Sequence, residues 1–338
     1  MNKPSQHPEM NNYSDFLNKS GWGGASITPL SADMGLRRYF MLQRGDEAAL
    51  LMDMSRAGIL ETGLQEFINI AKFLQSNDLC PPQIYAHDID SGLSIIEYLG
   101  DTSFGEALKQ GAPNEKIYSL ATEVLVQIRQ SAAENTLELN SYKETLIWKR
   151  LGQFVDYYMP LACADGTGRQ TTQEDYDQFQ SVWKDIEGTL VPCPMGVCLA
   201  DYHLENLIWR PDTKNGYGLI DFQDAFWGPQ PYDLLNLLED ARVSVEGDIK
   251  QSMKDLYCNA MSLEERQAFD DWYVVLSAQF HCRVLGLFIK FARENGGVEF
   301  LGHIPRLQGY MRENLRNPVL KPLKDWLAGH KVSFDIVI

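Results

Sequence analysis

The sequence predicts an α+β protein in which a sheet-rich N-terminal part precedes a larger, mainly helical part. Short apolar runs separated by turn residues fill the first hundred residues. Longer stretches with apolar residues at helical spacing follow Gly100, and one hairpin-like segment interrupts them at 196–222. The chain has 338 residues, of which 44% are hydrophobic and 22% charged, as is ordinary for a globular protein.

The N-terminal part is predicted to combine strands with one major helix, after a short helix near 13–18. Strands are expected from Ile27 onward, in two hairpins formed by residues 38–43 with 48–53 and 84–87 with 93–98. The major helix is indicated by apolar residues three and four positions apart, namely Leu64, Phe67, Ile68, Ala71 and Leu74.

The C-terminal part is predicted to be helical around a single hairpin. Helices are expected at 117–128, 141–159, 173–188, 246–257 and 263–294. Within 196–222, two short apolar runs flank a turn between Pro211 and Gly216, a pattern typical of two paired strands.

Composition excludes several classes of protein. The net charge of −16 argues against a nucleic-acid partner, since backbone phosphates require a basic surface. No apolar stretch approaches the ~20 residues of a membrane span, and the polar start does not resemble a signal peptide, so we expect a cytoplasmic protein. The six cysteines lack metal-site spacing and are expected to be reduced. No feature indicates an obligate protein partner.

Three polar residues have the spacing of a phosphoryl-transfer site. Asn206 follows Asp201 by five positions, and Asp221 follows Asn206 by fifteen, beyond a turn. Phosphoryl transfer needs a carboxylate to orient and deprotonate the acceptor hydroxyl, and oxygen ligands that hold Mg²⁺ on the phosphates. The ordered set favours a kinase, although the same residues could instead cap turns and bond loop backbone.

Further segments extend this pattern along the chain. They are LSAD (30–33), RRYF (37–40), LMD (51–53), IEYLGD (96–101), DYHLEN (201–206), IDFQDA (220–225), GPQPYDL (228–234), VLGLF (284–288) and HIPR (303–306). With them the chain resembles the aminoglycoside phosphotransferase / choline kinase superfamily over nearly its whole length. It resembles most the branch of anomeric N-acetylmuramate/N-acetylglucosamine kinases of bacterial cell-wall recycling.

The resemblance implies a protein-kinase-like two-lobed fold, with a nucleotide-binding N-lobe at 1–97 and a helical C-lobe at 98–338 that carries the catalytic loop and the acceptor site. Asp201 would be the catalytic base, and Asn206 and Asp221 would hold Mg²⁺. Asp233 matches the buried residue that braces the catalytic loop. The nucleotide would contact the remaining matched positions, which are Ser31, Arg37 and Arg38 in the phosphate turn and Glu97, Tyr98 and Leu99 at the hinge.

Other residues are candidates for acceptor binding. Gln223 and Asp224 follow the metal-binding Asp and would face the sugar hydroxyls, and His203, also considered for the acceptor site, would brace the loop or approach the metal. If the acceptor is N-acetylmuramate, its carboxylate needs a cation. Three arginines are candidates for that role, namely Arg242, Arg283 and Arg306.

Two positions depart from the general kinase pattern. Leu199 occupies the place where many relatives carry a loop His, and Met52 stands where a phosphate-pairing Lys is expected. Met52 agrees with the sugar-kinase branch, whose strand reads L-M-D, but it leaves the phosphates short of a cation. Arg37 or Arg38 could supply one, because a guanidinium matches phosphate oxygens, and either could equally be a solvated strand-edge charge.

The sequence therefore indicates a phosphotransferase with an alcohol acceptor, using Mg²⁺ with ATP or GTP and acting on the anomeric hydroxyl of an N-acetylated amino sugar. Two alternatives stay open. The same chemistry could act on an aminoglycoside, choline or a related amino alcohol. Leu199 and Met52 also allow a catalytically silent nucleotide-binding regulator.

Overall fold

The computed structural model describes residues 13–30, 37–55, 63–131, 137–163 and 170–338. The strands are β1 (Ser26–Pro29), β2 (Arg38–Arg44), β3 (Glu47–Asp53), β4 (Ile84–Asp88), β5 (Leu93–Glu97), β6 (Met195–Cys198), β7 (Leu207–Trp209), β8 (Tyr217–Leu219) and β9 (Phe226–Pro229). The helices are α1 (Ser14–Lys19), α2 (Leu64–Ser76), α3 (Phe104–Lys109), α4 (Asn114–Gln130), α5 (Leu146–Lys149), α6 (Met159–Ala162), α7 (Gln173–Thr189), α8 (Pro231–Leu238), α9 (Gly247–Cys258), α10 (Leu263–Asn295), α11 (Ile304–Asn314) and α12 (Lys321–Gly329).

The chain divides into two compact units. The first unit comprises Met1–Gly111 and Leu204–Asp224, and the second comprises Ala112–His203 and Ala225–Ile338. This division differs from the lobe boundary predicted at residue 97, because α3 and the chain before it pair with the β7 hairpin. The Trp209 N–H donates to the Thr102 carbonyl at 2.8 Å, and Ser103 forms a β-bridge with Ile208.

The first unit is built on a five-stranded antiparallel sheet in the order β1-β2-β3-β5-β4. The hairpins β2–β3 and β4–β5 confirm the two predicted from the sequence, and α2 confirms the predicted helix. One face of the sheet is covered by α1 and the segment after it, which bury Leu17 and Trp22 against Leu42, Leu51 and Ile95. The strands β7 and β8 form the antiparallel hairpin predicted within 196–222, and this hairpin belongs to the first unit rather than to the helical part.

The second unit is helical and is organised around α10, a helix of 33 residues. Ser262 and Glu265 form a capping box at its start, and it ends at Gly296, whose φ of +75° favours glycine. Large buried side chains pack against it, including Phe154, Trp183 and Leu307. By length and composition α10 could cross a membrane, but 67% of its most apolar window is buried inside the protein, as in a core helix.

One predicted helix is wrong. Residues 141–159 form short pieces rather than one helix: 3₁₀ turns at Tyr142–Glu144 and Arg150–Gly152, a π-helical turn at Phe154–Tyr158, and α5 and α6. The break occurs because Thr145 is extended, with ψ of 160°, and its hydroxyl accepts from the Trp148 N–H to start α5. The π-helical turn then packs closely on α10, where a Cβ on Gly286 would lie 2.3 Å from the Gln153 carbonyl.

Some helices carried no usable signal in the sequence. The helix α8 has only eight residues, too few to be recognised by spacing alone, and its polar Asp233 and Asn236 are buried together with its leucines. The short helix α3 is too brief for a period to be read, although Ser103 caps it by accepting from the Glu106 N–H at 3.0 Å.

Candidate active site

In the first unit, Asp221 lies just after β8 and is held by its neighbours. Its φ is +57°, an uncommon backbone conformation for a residue with a side chain. The next residue, Phe222, is buried and stacks on Phe67 of α2, with ring centroids 5.1 Å apart and planes 14° apart. The buried ring therefore anchors the turn, while 37% of the Asp221 side chain stays exposed.

Asn206 reaches the same region from the adjoining strand. It ends a 3₁₀ turn at Leu204–Asn206, and its carbonyl accepts from the Ile220 N–H at 3.1 Å. Leu207 pairs with Leu219 in the β7–β8 ladder, so Asn206 and Asp221 lie at the same end of this hairpin. The structure thus brings together the two residues predicted to hold Mg²⁺.

Glu205 also organises this turn, a role that was not among those predicted from the sequence. Its carboxylate accepts from the Ser103 hydroxyl at 2.5 Å. It also fills the space above Gly105, where a Cβ would lie 2.2 Å from Oε1 of Glu205. The signal was present in the sequence, since Glu205 lies inside the DYHLEN segment immediately before the predicted metal ligand.

A charged cluster surrounds Asp221. Nη1 of Arg37 lies 2.8 Å from Asp221 Oδ1, and Nη2 lies 3.4 Å from Oδ2 of Asp224. The Gln223 amide donates to Asp221 Oδ1 at 2.9 Å and to Asp224 Oδ2 at 3.2 Å. Gln223 is buried, so in this conformation it orients the two carboxylates. Among the two candidate sugar contacts, Asp224 is the more exposed.

The other residues predicted to contact the nucleotide do not join the cluster around Asp221. Ser31 lies outside the described residues. Arg38 pairs with buried Asp53, its Nη2 lying 2.5 Å from Oδ2. The Glu97 N–H donates to the Gln83 carbonyl at 2.8 Å, and its carboxylate pairs with Arg210 at 3.1 Å.

In the remainder of the hinge, Leu99 is buried and its methyl groups lie over Gly218, where a Cβ would be 2.9 Å from Leu99 Cδ1. Tyr98 is partly exposed. The backbone N–H of Glu97 is engaged by the Gln83 carbonyl and is therefore not available to a base.

In the second unit, Asp201 follows a constrained turn. Ala200 has a φ of +74°, and its carbonyl accepts from the Asn236 amide at 3.4 Å. Asp233, which is buried, accepts from the Leu199 N–H at 2.6 Å. Asp233 therefore braces the segment that presents Asp201, and Leu199 takes part through its backbone rather than its side chain.

His203 links Asp201 to Arg242. Nε2 of His203 lies 3.3 Å from Asp201 Oδ1, and Nη1 of Arg242 lies 3.4 Å from each ring nitrogen. Because Nη1 of Arg242 is equally far from both ring nitrogens, it lies over the face of the ring, and Nε2, when it carries the proton, donates to Asp201 Oδ1. Although 58% of the Asp201 side chain is exposed, His203 is buried, so the ring has a fixed position.

The charges around Asp201 keep it ionised. Desolvation by the surrounding protein acts to raise its pKa, but the hydrogen bond and charge of His203 and the charges of Arg242 and Arg283 outweigh it and lower the pKa to about 2. At neutral pH the side chain is therefore a carboxylate, the form that can accept a proton.

The three candidate arginines of the second unit differ in their contacts. Arg242 pairs with Asp240, Nε lying 3.4 Å from Oδ1, and 45% of its side chain is exposed. Arg306 donates to Ser244 Oγ at 2.9 Å and to the Ala241 carbonyl. Arg283 places its guanidinium 5.1 Å from the Phe280 ring centroid. The most accessible guanidinium, that of Arg242, is also the one linked to the Asp201 side chain.

A buried network near α8 has a structural character. Glu239 accepts from the Tyr273 hydroxyl at 3.1 Å, from Ser277 Oγ at 2.6 Å and from His281 Nε2 at 2.9 Å. The His281 ring stacks on Tyr310, with centroids 4.7 Å apart. Burial raises the pKa of Glu239, but the hydrogen bond and charge of His281 reverse this and lower it to about 2. His281 is thus a core histidine with a partner.

Comparison with known proteins places these features in a family. The sequence model that defines the phosphotransferase enzyme family matches residues 26–273 of this chain. An N-acetylmuramate/N-acetylglucosamine kinase of Caulobacter vibrioides is 27% identical, over 92% of this chain and 93% of its own. A kinase of the same name from Pseudomonas putida is 26% identical, over 93% of this chain and 92% of its own.

Solved structures share the fold at lower identity. A choline kinase of Streptococcus pneumoniae superposes with a TM-score of 0.62 at 13% identity, over 91% of this chain and 100% of that one. The same protein in complex with AMP gives a TM-score of 0.60 at 12% identity, with the same coverage. These similarities confirm the predicted protein-kinase-like α+β fold.

Proposed function

Because the chain belongs to the phosphotransferase enzyme family, we propose that it transfers the γ-phosphoryl group of ATP or GTP to the anomeric hydroxyl of N-acetylmuramate or N-acetylglucosamine. The observation that carries the chemistry is Asp201, a carboxylate kept ionised by His203 and Arg242. The acceptor class is supported by relatives of that name, which align over almost the whole chain.

Asp201 is the proposed catalytic base. It takes the proton of the acceptor hydroxyl as that oxygen bonds to the γ-phosphorus and the bond to the bridging oxygen of the nucleoside diphosphate breaks. Its low pKa makes it a weak base, so its main contribution is to orient the hydroxyl and accept the proton late in the reaction. Asp233 and Ala200 hold the loop that presents it.

Asn206 and Asp221 are the proposed Mg²⁺ ligands. Mg²⁺ prefers oxygen ligands and usually takes one or two from the protein, with phosphates and waters completing the set. The pair at the end of the β7–β8 hairpin fits this need, since both side chains offer an oxygen and Asp221 is partly exposed. When bound on the phosphates, the ion would neutralise the negative charge that develops during transfer.

The arginines of the second unit support an anionic rather than a cationic acceptor. Arg242 and Arg283 are both close enough to lower the pKa of Asp201. A choline or aminoglycoside cation would be repelled by these charges, whereas the carboxylate of N-acetylmuramate would be attracted. Arg242, the more exposed, is the proposed carboxylate partner, and Gln223 and Asp224 remain proposed contacts to sugar hydroxyls.

The nucleotide is proposed to bind the first unit, with its base against the backbone of the hinge at Glu97, Tyr98 and Leu99. The partners implied are the nucleotide and the sugar, and we propose a cytoplasmic location because nucleoside triphosphates are consumed there. Neither ATP nor GTP is favoured by a contact in the described hinge.

The base assignment is tested by Asp201→Asn. The variant should bind nucleotide as the wild type does but lose about 10²–10⁴-fold in kcat. Asp185→Asn changes an exposed carboxylate of α7 and serves as the matched control. A wild-type rate in the Asp201 variant would exclude it as the base.

The acceptor is tested with a coupled nucleotide-release assay on N-acetylmuramate, N-acetylglucosamine and kanamycin. Phosphorylation of the anomeric hydroxyl prevents ring opening, so reducing-end titration should fall in step with nucleoside diphosphate release. Release without loss of the reducing end would place the phosphate on another hydroxyl. Turnover with kanamycin alone would favour the aminoglycoside alternative, and the absence of turnover with any small acceptor would favour the silent regulator.

The carboxylate contact is tested with Arg242→Ala on the two sugars. N-acetylmuramate carries the carboxylate and N-acetylglucosamine does not, so KM should rise about tenfold or more for the first and remain nearly unchanged for the second. The neutral sugar is therefore an internal control for folding and for chemistry. Equal losses on both sugars would assign Arg242 to the support of His203 and Asp201 instead.

A further inference from the structure

Strand β3 of the first unit offers no cation to the nucleotide phosphates. Met52 occupies the strand position where related kinases are expected to carry a lysine, and its side chain is fully buried. The neighbouring Asp53 is also buried and accepts from Arg38, Tyr13 and the Ser55 N–H. The negative charge of the phosphates must therefore be met from another element.

Arg37 and Arg38 are adjacent in sequence, but their guanidinium groups contact different carboxylates. Arg38 lies opposite Asp53 in the β2–β3 register and points to it, so its guanidinium is used within the sheet. Arg37, the residue before β2, reaches Asp221 and Asp224 instead. Among the described residues, Arg37 is the cation in contact with the proposed metal ligand.

We propose that Arg37 is the phosphate-pairing cation that replaces the missing strand lysine, and that Asp221 holds it in position until the nucleotide arrives. The inference rests on the proposed function only in that a metal–nucleotide complex binds at Asp221. With that complex bound, Asp221 would hold the metal and the Arg37 guanidinium would turn to the phosphate oxygens.

The charges support this exchange. The Arg37 guanidinium and a Mg²⁺ ion compete for Oδ1 of Asp221, because both are cations and the present contact is 2.8 Å. A guanidinium released from one carboxylate is suited to two phosphate oxygens, because its planar fork binds them in parallel. Asp224, at 3.4 Å from Nη2, keeps the released side chain near the site.

The test measures binding by calorimetry, without the acceptor. In Arg37→Met, the affinity for Mg²⁺ with a non-hydrolysable ATP analogue should fall roughly ten- to hundredfold, since a charge-assisted contact is lost. The affinity for Mg²⁺ alone should stay the same or rise, since its competitor at Asp221 is gone. Arg37→Lys keeps the positive charge but not the planar guanidinium. Its affinity for the Mg²⁺–nucleotide complex should fall between that of the wild type and that of Arg37→Met.

Arg44→Met is the matched control, because Arg44 lies on β2 but contacts Glu47 and the Gly21 carbonyl. It should leave both affinities within twofold of the wild type. Parallel loss of Mg²⁺ and nucleotide affinity in Arg37→Met would overturn the proposal, since that is the mark of a structural ion pair. An unchanged nucleotide affinity in Arg37→Met would also overturn the proposal. Neither result depends on which acceptor the enzyme uses, so this test stands apart from that of the proposed function.

Discussion

Replacing Asp53 with Asn should destabilise the first unit by several kcal/mol, for a reason visible in its contacts. Only 1% of the Asp53 side chain is exposed. Its Oδ2 accepts from the Tyr13 hydroxyl at 2.6 Å and from Arg38 Nη2 at 2.5 Å, and its Oδ1 accepts from the Ser55 N–H at 2.9 Å. In each of these contacts the neighbouring group is the donor and a carboxylate oxygen is the acceptor.

An asparagine amide has a single acceptor oxygen and cannot accept from all three donors in either orientation. If its oxygen faces Tyr13 and Arg38, its NH₂ group faces the Ser55 N–H, and the flipped amide turns the NH₂ toward the other two donors. The substitution also removes a buried carboxylate from its ion pair with the partly exposed Arg38, and the loss of one member of a buried pair costs up to about 3–5 kcal/mol. We expect a loss of about this size in the free energy of unfolding.

Urea denaturation at pH 7 measures the loss, with Asp46→Asn in the exposed β2–β3 turn as the control. The pH dependence gives a second check. Burial acts to raise the pKa of Asp53, but the hydrogen bonds from Ser55, Tyr13 and Arg38 lower it. The stabilisation is thus present above the unfolded pKa of about 3.9 and is lost as the pH falls through the lower folded value.

The difference between wild type and Asp53→Asn should therefore shrink in acid. A variant within about 1 kcal/mol of the wild type at pH 7 would refute this reasoning, because an exposed ion pair contributes that little.

Two further predictions concern the second unit. Gly286→Ala should lower the free energy of unfolding by about 1–3 kcal/mol, since the new Cβ would lie 2.3 Å from the Gln153 carbonyl. Calorimetric unfolding measures this loss. Gly188→Ala, where the space around the new Cβ is open, is the control for helix propensity. A pH–rate profile should show no loss from protonation of Asp201 between pH 7 and 4, because its pKa is about 2. In His203→Ala the pKa should rise toward its ordinary value of about 3.9, so that the rate at pH 4 falls to roughly half its neutral value; profiles of equal shape would contradict this.

Most local elements and the reaction class could be predicted from the amino-acid sequence. The β2–β3 and β4–β5 hairpins were predictable from short apolar runs between turn residues, α2 from its one-sided apolar spacing, and α10 from the length of its apolar-rich stretch. The spacing of Asp201, Asn206 and Asp221, with the IDFQDA segment, was enough to indicate a phosphotransferase. Such motifs are readable because the chemistry restricts both residue type and order.

Tertiary structure decided the features that depend on residues far apart in sequence. The break at Thr145 within 141–159 and the complete burial of the short helix α8, polar residues included, depend on packing against other elements. Pairing decided the roles of adjacent arginines, since Arg38 is bound to Asp53 on the next strand whereas Arg37 meets Asp221, 184 positions away. Two neighbours with the same side chain cannot be told apart by composition or spacing, because their tasks are set by the charges that folding brings to them.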